Sequence, residues 1–157
     1  MKKILFIATL FAMTGLNNSY GQTNAKSDPS QLLSLYYDIK DALVGGNANT
    51  ASAKAEGFVK ALNSVDSKLV SETSKEALLN DATHIFESKD IKHQREHFAP
   101  FSDNMITLAK TVKLSAEPVY QQYCPMKKSS WLSSQQAIKN PYYGSSMLTC
   151  GSVKATL

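Results

Sequence analysis

Hydrophobic residues recur every three or four positions along a segment that begins near residue 30. The string Asp28-Pro29-Ser30 offers a helix start there. The string Gly45-Gly46-Asn47 ends the segment, since glycine and asparagine tolerate the left-handed geometry of a helix end. The spacing predicts an amphipathic helix. Its inner face carries Leu32, Leu35, Tyr36, Ile39 and Leu43.

Three more segments show the same spacing. The second segment begins near residue 49 or 50, the third spans about residues 71–88, and the fourth spans about residues 90–113. Their inward positions are Ala55, Phe58, Leu62 and Val65 in the second, Leu78, Ala82, Ile85 and Phe86 in the third, and Ile91, Phe98, Phe101, Met105, Leu108 and Val112 in the fourth. The sequence therefore predicts a mainly α fold, an antiparallel bundle of about four helices over residues 30–113. Pro100 lies inside the fourth segment and predicts a kink near Ala99.

The helical period fades after Ala116, where prolines and glycines divide the chain into short pieces. Val119 to Tyr123 alternates loosely and predicts a strand, and Ser152 to Leu157 is its expected partner. Trp131 is expected to anchor this part onto the bundle. Residues 117–157 thus form a predicted C-terminal lobe of short strands and loops.

The N-terminal segment has the three parts of a secretory signal. Lys2 and Lys3 precede an apolar run from Ile4 to Met13, and the small residues Ser19 and Gly21 suit a signal peptidase. About ten apolar residues are too few to cross a bilayer, which needs roughly 20. The segment is therefore expected to be a cleaved signal.

Cleavage after Gly21 would divide the chain into a signal peptide (residues 1–21), a flexible tether (22–29) and a single periplasmic domain (30–157). The formal net charge of +4 falls by two when the lysines of the signal are removed. The remaining basic residues are scattered, whereas nucleic-acid binding requires a clustered basic stripe. We expect no nucleic-acid partner and no membrane insertion after signal removal.

The common hydrolytic and phosphate-binding motifs are absent from the sequence. No serine lies in a G-x-S-x-G elbow, and there is no glycine-rich phosphate loop. Between His93 and His97, Gln94 occupies the place of the catalytic glutamate, so this string is not the HExxH of zinc proteases. We expect that the protein is not an enzyme.

The only two cysteines, Cys124 and Cys150, both lie in the predicted lobe. In an exported chain an even pair first indicates a disulfide, which here would stabilise the fold by roughly 3 kcal/mol in the chain-entropy estimate. A metal site and a pair of unlinked structural cysteines are the alternatives. Two cysteines alone do not decide among the three.

Each cysteine has a methionine nearby in the sequence. Met126 follows Cys124 by two residues and Met147 precedes Cys150 by three, so folding of the lobe would bring four sulfur atoms together. Thiolates and thioethers are soft ligands that select Cu(I), and a thioether binds without losing a proton. The pattern favours a Cu(I) site, with zinc as the second choice of metal.

His93 and His97 lie four residues apart on the predicted fourth helix. They therefore share a face, which suits two imidazoles that bind one metal. We expect His97, followed by His93, to complete the metal site in the lobe. Two solvated histidines beside a charged face are the alternative, and His84 is given no role. Arg95 lies near the apolar stripe and is expected to form a buried ion pair or to donate to a carbonyl of the lobe.

Longer strings of residues resemble a known family. They are H-Q-R-E-H-F-A-P-F-S-D-N-M in the fourth helix, and V-Y-Q-Q-Y-C-P-M, W-L-S and N-P-Y-Y-G-S-S-M-L-T-C-G-S-V in the lobe. From about Ser30 onward the chain is similar to a family of short exported bacterial proteins built on a domain of unknown function. Similar domains occur as extra modules on periplasmic adaptor subunits of copper and silver efflux pumps, the CusB-like membrane-fusion proteins.

The resemblance implies heavy-metal handling in the periplasm by association. The family pattern is matched at Arg95, Phe98, Pro100, Ser102, Cys124 to Met126, Asn140 to Gly144 and Met147 to Gly151. Together, the residues and the resemblance predict a periplasmic metal-binding protein for copper, with a metal ion and a heavy-metal efflux adaptor as partners. The alternative is a metal-free interaction module that docks on an efflux adaptor or another envelope protein, with a Cys124–Cys150 disulfide.

Overall fold

A computed structural model describes residues 28–157 of the chain. The predicted signal peptide and residues 22–27 of the predicted tether lie outside the described residues. Four helices come first: α1 (Pro29–Val44), α2 (Ala48–Asn63), α3 (Glu72–Glu87) and α4 (Ile91–Thr111). Three strands and a short 3₁₀ helix follow: β1 (Tyr120–Cys124), β2 (Ser129–Ser133), the 3₁₀ helix Gly144–Met147 and β3 (Ser152–Thr156). This arrangement confirms the predicted mainly α fold with a small C-terminal lobe.

Each helix begins at a polar side chain that accepts a hydrogen bond from the backbone of the first turn. These caps are Asp28, Asn47, Ser71 and Asp90. Such caps satisfy N–H groups that have no partner within the helix. Asn47 therefore starts α2 and is not only the end of α1, so α2 begins one or two residues earlier than predicted. It ends at Asn63, and Val65 is buried in the turn that follows.

Aromatic side chains fill the centre of the bundle. Tyr36 from α1 stacks on Phe98 from α4, with ring centroids 5.3 Å apart, and Phe58 from α2 meets Phe101 edge to face at 4.8 Å. Met105 is fully buried beside them, as expected of a residue that fills the core. The helical spacing therefore identified the inward faces correctly. The helix α4 continues through Pro100, and the kink there stays a prediction.

The lobe is a three-stranded antiparallel sheet in the order β2-β1-β3. The predicted pairing of the first and last strands is confirmed. The strand β2, which is second along the chain and lies at one edge of the sheet, was not predicted. It pairs with β1 through a tight turn in which Lys128 adopts a positive φ of 57°. Trp131 in β2 is fully buried and β2 contacts α4, which confirms that this residue anchors the lobe.

Buried hydrogen bonds fasten the lobe to the bundle. The hydroxyl of Tyr36 accepts from the backbone N–H of Leu132 at 3.0 Å and lies 2.8 Å from the hydroxyl of Ser102 on α4. Burial raises the pKa of Tyr36 above its ordinary value. The Tyr36 hydroxyl and the Leu132 N–H are both buried, and buried polar groups need hydrogen-bond partners. The sheet is therefore expected to dock where these two groups meet.

Arg95 makes a second connection between the bundle and the lobe, although its hydrogen-bond partner differs from the prediction. Its guanidinium donates to the carbonyl of Leu43 in the last turn of α1 at 2.7 Å, and not to a carbonyl of the lobe. The last carbonyls of a helix lack partners within it and so attract a cation. The same guanidinium lies against Gly144 of the lobe, where a Cβ would collide with it. Arg95 thus links α4, α1 and the lobe.

Within residues 28–157, no helix combines the length and the apolar character that a membrane crossing needs.

Candidate functional site

The fold brings the two cysteines together. Cys124 is the last residue of β1, and Cys150 lies two residues before β3, which pairs with β1. Their Sγ atoms are 3.4 Å apart and are not bonded to each other. The Cys124 side chain is buried and that of Cys150 is half-buried. One thiol therefore lies beneath the other at the end of the central strand, β1.

A network around Asn140 fixes the segment that carries Cys150. The Asn140 side chain donates to the carbonyl of Cys150 at 2.8 Å and accepts from the backbone N–H of Tyr142 at 2.9 Å. Gly151, which follows Cys150, packs so closely on Trp131 that a Cβ at residue 151 would approach the indole to 2.9 Å. The backbone position of Cys150 is therefore set by buried contacts.

The two thiols differ in acidity. Burial raises the pKa of Cys124, but hydrogen bonds from the backbone N–H of Lys127 and from the side chains of Cys150 and Asn140 outweigh it, so the net pKa is lowered. The pKa of Cys150 is raised, first because its thiol donates a hydrogen bond to Cys124. Cys124 is therefore the first of the pair to become a thiolate.

The two methionines flank the thiols in the sequence, with different surroundings. The Met126 side chain is 65% exposed, and its backbone N–H points toward both thiols. Met147 ends the 3₁₀ helix and is half-buried, and its carbonyl accepts from the backbone N–H of Cys150 at 3.0 Å. We call Cys124, Met126, Met147 and Cys150 the sulfur cluster.

Histidines form a second cluster on the bundle. His84 from α3 stacks on His97 from α4, with ring centroids 4.1 Å apart, and His93 lies 4.7 Å from His97. One ring nitrogen from each of the three lies within 4.8 Å of the others, so together they could hold a metal ion. We call these three residues the histidine cluster.

A buried carboxylate orients one of these rings. Nδ1 of His97 lies 3.3 Å from Oδ1 of Asp81, a residue of α3 that is 6% exposed. Asn104 donates to the other carboxylate oxygen at 3.5 Å. Because an ionised carboxylate only accepts hydrogen bonds, this contact favours the neutral tautomer with the proton on Nδ1 of His97, which leaves Nε2 as the metal-binding nitrogen.

The predicted site residues therefore divide into two groups. The structure brings Cys124 close to Cys150, and it brings His93 and His97 together with His84. Among the described residues no metal-ligating group combines a histidine with the cysteines. The residues predicted to form one site thus fall into two clusters in the structure.

Sequence reasoning missed His84, Asp81 and Asn140. The signal for His84 was present, because only Ser88 to Asp90 separate α3 from α4 and so place residues on either side of that turn opposite each other. Asp81 lies one turn before His84 and could have been found in the same way. Asn140 gave no comparable signal, since its partners depend on the path of an irregular loop.

The fold and the side-chain clusters define a four-helix domain with clustered metal-ligating side chains. Proteins of this class can have many different functions, because a fold alone does not define an activity. The chain belongs to the family described as "Protein of unknown function (DUF3347)", whose pattern matches residues 32–117, more than half of the chain. The match covers the bundle with its histidine cluster and ends before β1 and the sulfur cluster. No significant match exists among curated proteins or among solved structures.

Proposed function

We propose that this is a periplasmic metal-binding protein that handles copper, and that the sulfur cluster binds one Cu(I). The observation that carries the proposal is the 3.4 Å separation of the sulfur atoms of Cys124 and Cys150, residues whose backbone is held by a buried framework, together with the two methionines close to them in the sequence. Soft thiolate and thioether ligands favour Cu(I) among the first-row metals.

The separation of the thiols suits a shared metal after a small movement. Two sulfurs bound to one metal at about 2.3 Å each lie roughly 4 Å apart, whereas a disulfide requires about 2.05 Å. The half-buried Cys150 can move outward by the difference, while Cys124 stays fixed at the end of β1. Metal binding would also release the thiol protons of both cysteines, including the proton that Cys150 donates to Cys124 in the metal-free state.

The two methionines can supply further sulfur ligands beside the two thiolates. Met126 is exposed and free to turn, so its thioether can close over a metal from the solvent side. Met147 can approach from the 3₁₀ helix that precedes Cys150. A site that is open on one side suits transfer of the ion to a partner, and the resemblance to modules of heavy-metal efflux adaptors supports such a partner.

A titration of reduced protein with Cu(I), in competition with a coloured chelator, tests the proposal. We expect one Cu(I) per chain, and weaker binding after Met126→Leu or Met147→Leu with stability nearly unchanged, because leucine keeps the apolar volume. The matched control is Met105→Leu, in the core of the bundle, which should leave the affinity unchanged. Equal affinity in all four proteins would exclude the methionines as ligands.

The same 3.4 Å separation also supports a second candidate function, a metal-free interaction module in which Cys124 and Cys150 form a disulfide. A thiol count on protein taken from the periplasm separates the two. No free thiol, together with a loss of about 2 to 5 kcal/mol of stability on reduction, would favour the disulfide-linked interaction module. Two free thiols with Cu(I) binding would favour the copper site.

A further inference from the structure

We propose a second metal site, in which the histidine cluster binds a divalent ion of borderline softness, Zn²⁺ or Cu²⁺. It lies on the α3–α4 face of the bundle and uses nitrogen ligands from His84, His93 and His97. Imidazole suits these ions, whereas the sulfur cluster suits Cu(I). The site therefore differs from the proposed copper site in place, ligand type and metal charge.

The rings must turn to share an ion, because the lone pairs of the stacked His84 and His97 rings lie in nearly parallel planes. Their nitrogens lie within 4.8 Å of one another, and two nitrogens bound to one tetrahedral ion at 2.0–2.1 Å lie about 3.3 Å apart. His84 is exposed and stacks flat on His97, so its ring can turn about its Cβ–Cγ bond without displacing core atoms. In the part of the chain that the structure describes, the ring nitrogens of His84 and His93 have no hydrogen-bond partner.

Asp81 gives the cluster a feature that solvated surface histidines lack. Histidines that bind metals commonly donate the other ring N–H to a carboxylate, which fixes the tautomer and raises the basicity of the free nitrogen. Asp81 holds His97 in this way, and Asn104 holds Asp81 in turn. Asp81 is a positioning residue, because it acts on the metal only through His97.

The surroundings leave room for a fourth ligand. A surface cleft of about 410 Å³ is lined by His84, Glu87, Ser88, Asp90 and His93. The negative charges of Glu87 and Asp90 favour a divalent cation electrostatically, and a water can complete a tetrahedral shell. A three-histidine site with an open position holds an ion that can exchange its fourth ligand.

Removing the sulfur cluster isolates this site. In full-length Cys124→Ser/Cys150→Ser protein, competition between the protein and a coloured chelator for Zn²⁺ should show one ion bound per chain. His84→Asn or His93→Asn should weaken binding by more than about tenfold, and Asp81→Asn by about 10- to 100-fold. Lys89→Gln, in the α3–α4 turn, is the matched control and should leave affinity unchanged. If the double serine variant does not fold, wild-type protein oxidised to the disulfide replaces it.

Nitrogen NMR of the histidine rings separates a positioning role from a structural one. On addition of Zn²⁺, the Nε2 signal of His97 should shift while Nδ1 remains protonated, and Asp81→Asn should abolish this single-tautomer pattern in a chain that is still folded. Zn²⁺ affinity that is equal in the wild-type and histidine variants, or no Zn²⁺ binding by folded protein, would overturn the proposal. A failed Cu(I) titration would leave it intact, because that experiment concerns the sulfur cluster.

Discussion

Phe98 shows how far a single residue could be placed from the sequence. Its position in the α4 stripe predicted burial, and its ring is fully buried between Tyr36 and Tyr142, at 5.3 and 5.9 Å. Phe98→Ala should lower the free energy of unfolding by about 3 to 5 kcal/mol, since it leaves a cavity where α1, α4 and the lobe meet. Chemical denaturation measures the loss. Phe86→Ala, at a half-buried position, should cost clearly less, and equal costs would contradict this packing.

Tyr36 carries a prediction that depends on pH. Tyr36→Phe should cost about 1 to 3 kcal/mol at neutral pH, because the N–H of Leu132 is left buried without its acceptor. Burial also raises the pKa of Tyr36 in the folded state. The unfolded chain therefore ionises first, so the contribution is complete below about pH 10 and is lost as pH rises above it.

Urea unfolding at pH 7 and pH 11 measures both effects of Tyr36→Phe. Wild type should lose more stability between the two pH values than the variant does. Tyr120→Phe, at a half-buried position in β1, is the control and should behave like wild type at both. An identical alkaline loss in the variant and wild type would show that Tyr36 is not the buried group assigned here.

Polar partnerships were harder to predict at this scale. Helical spacing identifies which residues point inward, but it does not identify which polar groups meet across two helices. The pairing of His97 with Asp81 and the Arg95 bond to Leu43 both depend on the relative rotation of neighbouring helices. That rotation is set by the packing of the whole core.

At the scale of elements, two glycines with positive φ make different demands. Gly46 (φ +70°) lies in the α1–α2 turn with no atom near a Cβ, whereas at Gly144 (φ +55°) a Cβ would meet the Arg95 guanidinium and the carbonyl of Val44. Gly46→Ala should cost about 1 to 2 kcal/mol from backbone strain alone. Gly144→Ala should cost more, because displacing Arg95 also breaks its bond to Leu43.

Thermal unfolding of both alanine variants measures this difference. Equal losses of stability would mean that Arg95 does not link the lobe to the bundle. Arg95→Met then serves as a second check. It should make the two glycine substitutions more nearly equal in cost, since the clash with the guanidinium is gone.

The helices and the β1–β3 pair were predicted because caps and hydrophobic spacing are local signals. The strand β2 was missed because its sequence, Ser-Ser-Trp-Leu-Ser, lacks alternation, and because no glycine marks the turn before it. Lys128 takes the positive φ there instead, at a position where glycine is usual. The prediction of elements thus fails where a tertiary contact, the burial of Trp131, decides the structure.

At the scale of the whole molecule, the two candidate metal sites lie on different parts of the fold. The histidine cluster depends on the α3–α4 pair, and the sulfur cluster depends on the sheet that docks on α1 and α4. The family match covers the first part and not the second. The division of the predicted site residues between two clusters could not be found without the packing of helices and sheet, although the short α3–α4 turn gave a signal for His84.

Export is a prediction for the whole chain. Protein taken from the periplasm of its native host should begin at Gln22, because Ser19 and Gly21 satisfy the small-residue rule for signal cleavage. Intact mass spectrometry measures this directly. A retained Met1 would contradict export by a cleaved signal, and with it the periplasmic setting proposed for copper handling.

X-ray absorption at the copper edge tests the central claim, that the sulfur cluster holds the metal. Reduced full-length protein loaded with one Cu(I) should show sulfur neighbours at about 2.3 Å and no main shell of nitrogen near 2.0 Å. The spectrum should be unchanged in His84→Asn protein, because the histidine cluster is a separate site. A main shell of nitrogen or oxygen, or loss of the copper on desalting, would contradict the account.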